Sequence, residues 1–156
     1  MSLIEQKIKE LNISIPEVAK PAASYVPYTI SGDVLYISGQ LPFENGELKT
    51  KGIVGNQVTI EQAQREARNC AINILACAKD ALGGDLEKIE KVLYLTVLVA
   101  STPEFTSQHL VANGCSDLLV EVLGKEKGAH TRAAFGIASI PLNAPVEIAA
   151  QIKIRK

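Results

Sequence analysis

Cysteine and histidine are scarce in this chain: Cys70, Cys77 and Cys115, with His109 and His130, are all that 156 residues contain. The cysteines are odd in number and form no Cys-x-x-Cys pair, which excludes a disulfide framework and a zinc ribbon and fits a reduced, cytoplasmic setting. Neither histidine stands in an HExxH or comparable ligand spacing, so no metal site is expected. A dominant charge is missing as well, since 16 Lys+Arg against 17 Asp+Glu leave a net charge of −1 and a pI near 6.1. Holding nucleic acid through its phosphates needs a concentrated positive field, and the chain encodes none. No apolar run nears the roughly 20 residues of a membrane span; the longest, Val92 to Ala100, is interrupted by Tyr94 and Thr96. Met1-Ser2-Leu3-Ile4-Glu5 has neither a charged start nor a long hydrophobic centre, so no secretory signal is expected. A Gly-x-Ser-x-Gly elbow is absent, and Gly83-Gly84 closes a helix where a phosphate loop would open one.

What the chain does have is enough apolar material for one packed domain. It is 47% hydrophobic with a mean hydropathy of +0.13, which predicts a single unit over 1–156, residues 1–18 being a helical extension. Ser2-Leu3-Ile4-Glu5 forms a capping box ahead of Ile8 and Leu11, predicting a short helix that ends near Asn12. Tyr25 to Ile30, the turn Gly32-Asp33 and Val34 to Ser38 read as a hairpin, and Asn45-Gly46 as a second turn before a short strand near Ile53-Val54. Thr59-Ile60-Glu61-Gln62 caps a long helix whose apolar positions, Ile60 to Ala81, recur every three or four residues. Ile89 to Ala100 reads as a long buried strand, and Ser101-Thr102-Pro103-Glu104 as the start of a second long helix closed by Gly124. Thr131 to Ser139 and Val146 to Ile154 are the last two strands. The expected fold class is α+β, a mixed sheet covered on one face by two long helices.

The last two strands carry a register expectation. Ala133, Phe135 and Ile137 alternate against Arg132, Ala134 and Gly136, while Val146, Ile148, Ile152 and Ile154 alternate against Glu147 and Gln151. If the two strands form an antiparallel hairpin and bury one common apolar face, Arg132 and Glu147 share the other face. A turn near Ile140-Pro141 would set Glu147 opposite Ala134 and diagonal to Arg132, with Ala134 and Gly136 leaving a concavity. Such a pair reads as an anion site, or else as a surface ion pair worth about 0–1 kcal/mol.

Several short stretches add to this pattern. Pro21-Ala22-Ala23 with Tyr28, Ser38-Gly39-Gln40-Leu41-Pro42, and Arg132 with Ile140-Pro141 and Val146-Glu147-Ile148 resemble, in order and spacing, the Rid (YjgF) family of imine and enamine deaminases. Asn113-Gly114 with Ser116-Asp117-Leu118-Leu119-Val120-Glu121 and the added N-terminal helix resemble a longer branch labelled endoribonuclease. The resemblance implies a chorismate-mutase-like fold, a homotrimer with clefts between subunits, no cofactor, and hydrolysis of 2-imino acids to 2-keto acids and ammonia. It implies that Arg132 holds the substrate carboxylate, that Glu147 orients water, and that Tyr28, Ser38 and Gly39 line the cleft, with His130 nearby. Ala134 and His109 stand where many members carry Cys and Asn, which bears on pocket size. Non-catalytic binding of a keto acid and, less readily, ribonuclease activity are the alternatives.

Overall fold

The two capping boxes start the helices where the sequence places them. Ser2 Oγ accepts the Glu5 amide at 3.1 Å and opens α1 (Leu3–Glu10); Thr59 Oγ1 accepts the Gln62 amide at 3.2 Å and opens α2 (Ile60–Ala81). The computed structural model describes residues 1–18, 20–21 and 23–156, so Ala22 of the Pro21-Ala22-Ala23 stretch lies outside the described residues. The remaining elements are β1 (Tyr28–Ser31), β2 (Val34–Gln40), β3 (Ile89–Ala100), α3 (Gln108–Leu123), the single turn α4 (Lys125–Gly128), β4 (Thr131–Ile137) and β5 (Val146–Ile154). Among the described residues no helix is long and apolar enough to cross a membrane.

The strands form one five-stranded sheet in the order β1-β2-β5-β3-β4. β1–β2 is the expected hairpin, with Ser31 opposite Val34 across Gly32-Asp33. α2 and α3 pack against the same face, so the α+β class and the one-sided helical cover are as expected. The helix-facing row of the sheet is fully buried, including Leu35, Leu95, Val97, Val99, Ile148 and Ile152. α2 meets it with Ile74 and with Ala63, Ala67, Cys70, Ala71 and Ala78, small side chains that let the helix lie close.

Three expectations are corrected. The last two strands do not pair: β4 pairs with β3 in parallel, and β5 lies antiparallel between β2 and β3. The reason is the β3–α3–β4 crossover, which returns the chain parallel to β3 and leaves β5 to fill the centre. Arg132 and Glu147 therefore do not share a face. Arg132 is in ladder with the buried Leu95, on the helix side, whereas Glu147 is in ladder with Leu98, on the open side. Second, Pro103 does not start a helix; α3 begins at Gln108, because residues 101–105 are held by other bonds, Thr102 N donating to Val54 O and Ser101 N to Ile137 O. Third, Ile53-Val54 forms only isolated bridges, Val54 with Val58 and with Ser101. The Asn45-Gly46 turn is present, closed by the Glu44–Glu47 bridge with positive φ at both central residues.

α2 and α3 cross at a glycine. A Cβ at Gly114 would stand 2.0 Å from the Gln64 carbonyl oxygen, so the helices can approach only without a side chain there. The added α1 packs on α3 in the helical layer, its Ile4 amide donating to Glu87 Oε1 at 3.0 Å. Glu87 also sits 3.6 Å from Lys127 Nζ, which balances its charge.

Two outcomes are expected. Gly114→Ala lowers stability by about 1–3 kcal/mol or more, because backbone on a long helix must move to admit the methyl; urea denaturation against the wild type measures it. All three cysteines are fully buried, and burial pushes the Cys77 thiol up to about 11 and the Cys115 thiol up to about 12. The folded protein therefore stays silent to a thiol reagent at neutral pH and titrates three thiols only on unfolding.

Candidate functional site

The edge strand β4 sets Thr131, Ala133, Phe135 and Ile137 on the open face and turns Arg132, Ala134 and Gly136 toward α3. The small pair makes room for the helix: a Cβ at Gly136 would stand 2.6 Å from Ser101 Oγ and 2.8 Å from Gln108 Nε2. Arg132, the large member of this row, reaches up to α3 and is held there twice. Its Nη1 donates to Ser116 Oγ at 2.9 Å and its Nη2 to the His109 carbonyl at 3.1 Å. Ser116 Oγ in turn lies 2.8 Å from His130 Nε2, and His130 Nδ1 lies 2.6 Å from the Gly128 carbonyl. All three side chains are half-buried. Among the described residues no carboxylate pairs with Arg132, which leaves an oriented cation with N–H donors to spare.

Glu147 occupies the open face of β5. β2 shifts register between Ile37 and Gln40, and this irregularity brings Gly39 against the carboxylate. A Cβ at Gly39 would stand 2.6 Å from Glu147 Oε2, so glycine here keeps the space that the carboxylate fills. Burial pushes the Glu147 carboxyl above the ordinary 4.5. No cation offsets it among the described residues.

The other expected cleft residues are not gathered in one chain. Ser38 Oγ donates to the Val26 carbonyl at 2.7 Å and its amide to Pro27 O at 2.9 Å, which ties the approach to β1 onto β2. Tyr28 is in ladder with the buried Ile37 and donates its hydroxyl to Asp80 Oδ2 at 2.7 Å; that bond, then burial, raises its pKa. Tyr28 and Arg132 sit on opposite edge strands, four strand spacings or about 19 Å apart. Sequence reasoning missed Ser116 and the His109 carbonyl as partners of this arginine, because they meet it only across the β3–α3–β4 crossover. The described residues contain no group of three or more His, Cys, Asp or Glu placed to hold a metal.

Residues 5–150 match the family model described as "YjgF/chorismate mutase-like, putative endoribonuclease". The chain is 40% identical over 151 residues to Protein TCP17 of Trypanosoma cruzi, covering 97% of this chain and 94% of that protein. It is similar to the crystal structure of a protein of unknown function from Agrobacterium tumefaciens, with 53% identity, TM-score 0.92, and 98% and 94% of the two chains covered. It is also similar to a structure named as a "putative endoribonuclease" from Shewanella oneidensis, with 28% identity, TM-score 0.93, and 98% and 100% covered.

Glu147 makes stability depend on pH with a definite sign. A carboxyl whose pKa is higher in the folded state binds more protons folded than unfolded, so stability falls as pH rises through that range. Glu147→Gln removes the cost of burying the charge. The variant should be more stable than the wild type at pH 7, and the difference should close below the ordinary value of 4.5, as read from thermal melts across pH.

Proposed function

The chain belongs to the YjgF/chorismate mutase-like family, and from that premise we propose that it deaminates reactive 2-imino acids and their enamines by hydrolysis, yielding 2-keto acids and ammonia. The observation that carries this reading is Arg132, a guanidinium fixed at two N–H groups with no acidic partner. A planar guanidinium grips a carboxylate with two parallel hydrogen bonds, which sets the adjacent imine carbon in one place. An iminium carbon is already electrophilic, so positioning and proton transfer are the main tasks left to the protein. Glu147 takes a proton from the attacking water as the C–O bond forms, returns it to the carbinolamine nitrogen, and accepts the hydroxyl proton as the C–N bond breaks, so that the C=O of the keto acid forms and ammonia leaves. A carboxyl raised by burial suits these steps, since its proton affinity lies nearer the working pH.

Arg132 and Glu147 lie on opposite faces of one sheet, so a small substrate touches both only where two copies meet. We read the working unit as a homotrimer with its clefts between subunits. The open sheet face supports this reading, because Phe135 and Tyr36, 45% and 41% exposed there, stand beside Leu98 and Tyr94 with no helix to cover them. Tyr28, Ser38, Gly39 and His130 are proposed to line that cleft. The family description favours a second reading, endoribonuclease, but that activity needs a paired general acid and base. Both ring nitrogens of His130 are already engaged, and His109 meets Arg132 only through its carbonyl.

The test supplies imines generated in place by an amino-acid oxidase and follows 2-keto acid release. Wild type should turn over, and Arg132→Ala, with its assembly state unchanged on size exclusion, should lose the equivalent of about 2–5 kcal/mol. Wild type that binds a 2-keto acid without turning over any imine would make this a binding protein; cleavage of RNA that survives Arg132→Ala would favour the second reading.

A further inference from the structure

We propose that Ser116 is the positioning residue for Arg132, and that His130 and the Gly128 carbonyl complete a one-way hydrogen-bond relay that keeps the guanidinium aimed. The inference rests on the reading in which Arg132 holds the substrate carboxylate, and it adds a residue on α3 to that site.

The direction of the relay follows from which groups can donate. A carbonyl oxygen only accepts, so the 2.6 Å contact at Gly128 requires a proton on His130 Nδ1. Neutral His130 then has a bare Nε2, which must accept at its 2.8 Å contact, and the donor is the Ser116 hydroxyl. With its own hydrogen committed, Ser116 Oγ presents lone pairs to Arg132, which has nothing but donors and fills one of them at 2.9 Å. With the ring neutral, every member has one role. A serine alone would rotate its hydroxyl freely; this one is locked with its acceptor side toward the arginine. The His109 carbonyl fixes the second guanidinium nitrogen, so the plane of the group is set by two points on α3.

The anchor of the relay is rigid for a separate reason. Gly128 is buried at the end of α4, and a Cβ there would stand 2.7 Å from Leu119 O and 2.8 Å from Val120 Cα. Its close seat on α3 holds the carbonyl in front of His130. Ser116 lies on the same helix, so relay and arginine are measured from one rigid element.

Two measurements test the proposal. The first is nuclear magnetic resonance of nitrogen-15-labelled protein, with His109→Gln used to assign the imidazole signals. Wild-type His130 should show a proton on Nδ1 and none on Nε2. The Arg132 terminal nitrogens should resolve separately, as in a guanidinium that cannot rotate, should average in Ser116→Ala, and should resolve again in Ser116→Thr, which keeps the hydroxyl. An Nε2-protonated ring, averaged arginine signals in wild type, or no change in Ser116→Ala would overturn the relay.

The second measurement separates positioning from mere stability. In the oxidase-coupled assay, Ser116→Ala should raise KM roughly tenfold or more, the size of one lost hydrogen bond to a charged group, with kcat within a few-fold. Ser116→Thr should restore KM. A KM unmoved by Ser116→Ala in an active enzyme would refute the role. If wild type turns over nothing while the resonances behave as expected, the deaminase reading fails and the positioning of Arg132 stands.

Discussion

Parallel pairing of β4 with β3 forces the chain to cross the length of the sheet between them, and α3 is the segment that makes the crossing. From that constraint most of the site follows. The crossover lays α3 over the edge strand, so β4 must turn its small residues, Ala134 and Gly136, toward the helix. Arg132 belongs to the same alternating row and is carried to the helix side with them. There it finds an oxygen of Ser116 and a carbonyl of His109, acceptors that water would otherwise supply. A guanidinium held this way keeps its charge and loses its freedom.

The same topology sends Glu147 to the opposite face. β5 sits in the middle of the sheet, and its inward row, Val146, Ile148, Ala150 and Ile152, is claimed by the core beneath α2. Glu147 and Gln151 have only the open face left. That face also collects Phe135 and Tyr36, both exposed, beside the partly buried Leu98.

Glycines mark the places where backbone or side chain comes too near for a Cβ. Gly114 sets the α2–α3 crossing, Gly128 seats α4 on α3, and Gly39 leaves space for Glu147. Two of the three tighten the helical layer that holds Arg132 and its relay, and the third shapes the ground under the acid. The cysteines have no comparable part in the site. All three are buried, and burial makes their thiolates costly.

Local physics was legible in the sequence because it depends on near neighbours. Capping boxes at Ser2 and Thr59, the Gly32-Asp33 turn, the period of Ile60–Ala81 and the apolar run of Ile89–Ala100 each act within a few residues, and each element lies where its pattern indicates. One arginine and one glutamate flanking the last turn could be picked out as candidates, but not the opposite faces on which they lie. Partner choice was not legible. A strand's alternation says which residues share a face and says nothing of which strand lies beside it, so the sequence allowed a terminal hairpin where the chain instead inserts β5 between β2 and β3. The parity reading also assumed that the larger apolar row of β4 faces the core; in the fold that row faces outward, because the room beneath α3 admits only small residues and one long arginine. Only the tertiary structure decided that Arg132 meets Ser116 and the His109 carbonyl, since Ser116 and Arg132 stand 16 positions apart in sequence and only the crossover of α3 over the edge strand brings them within one hydrogen bond in space.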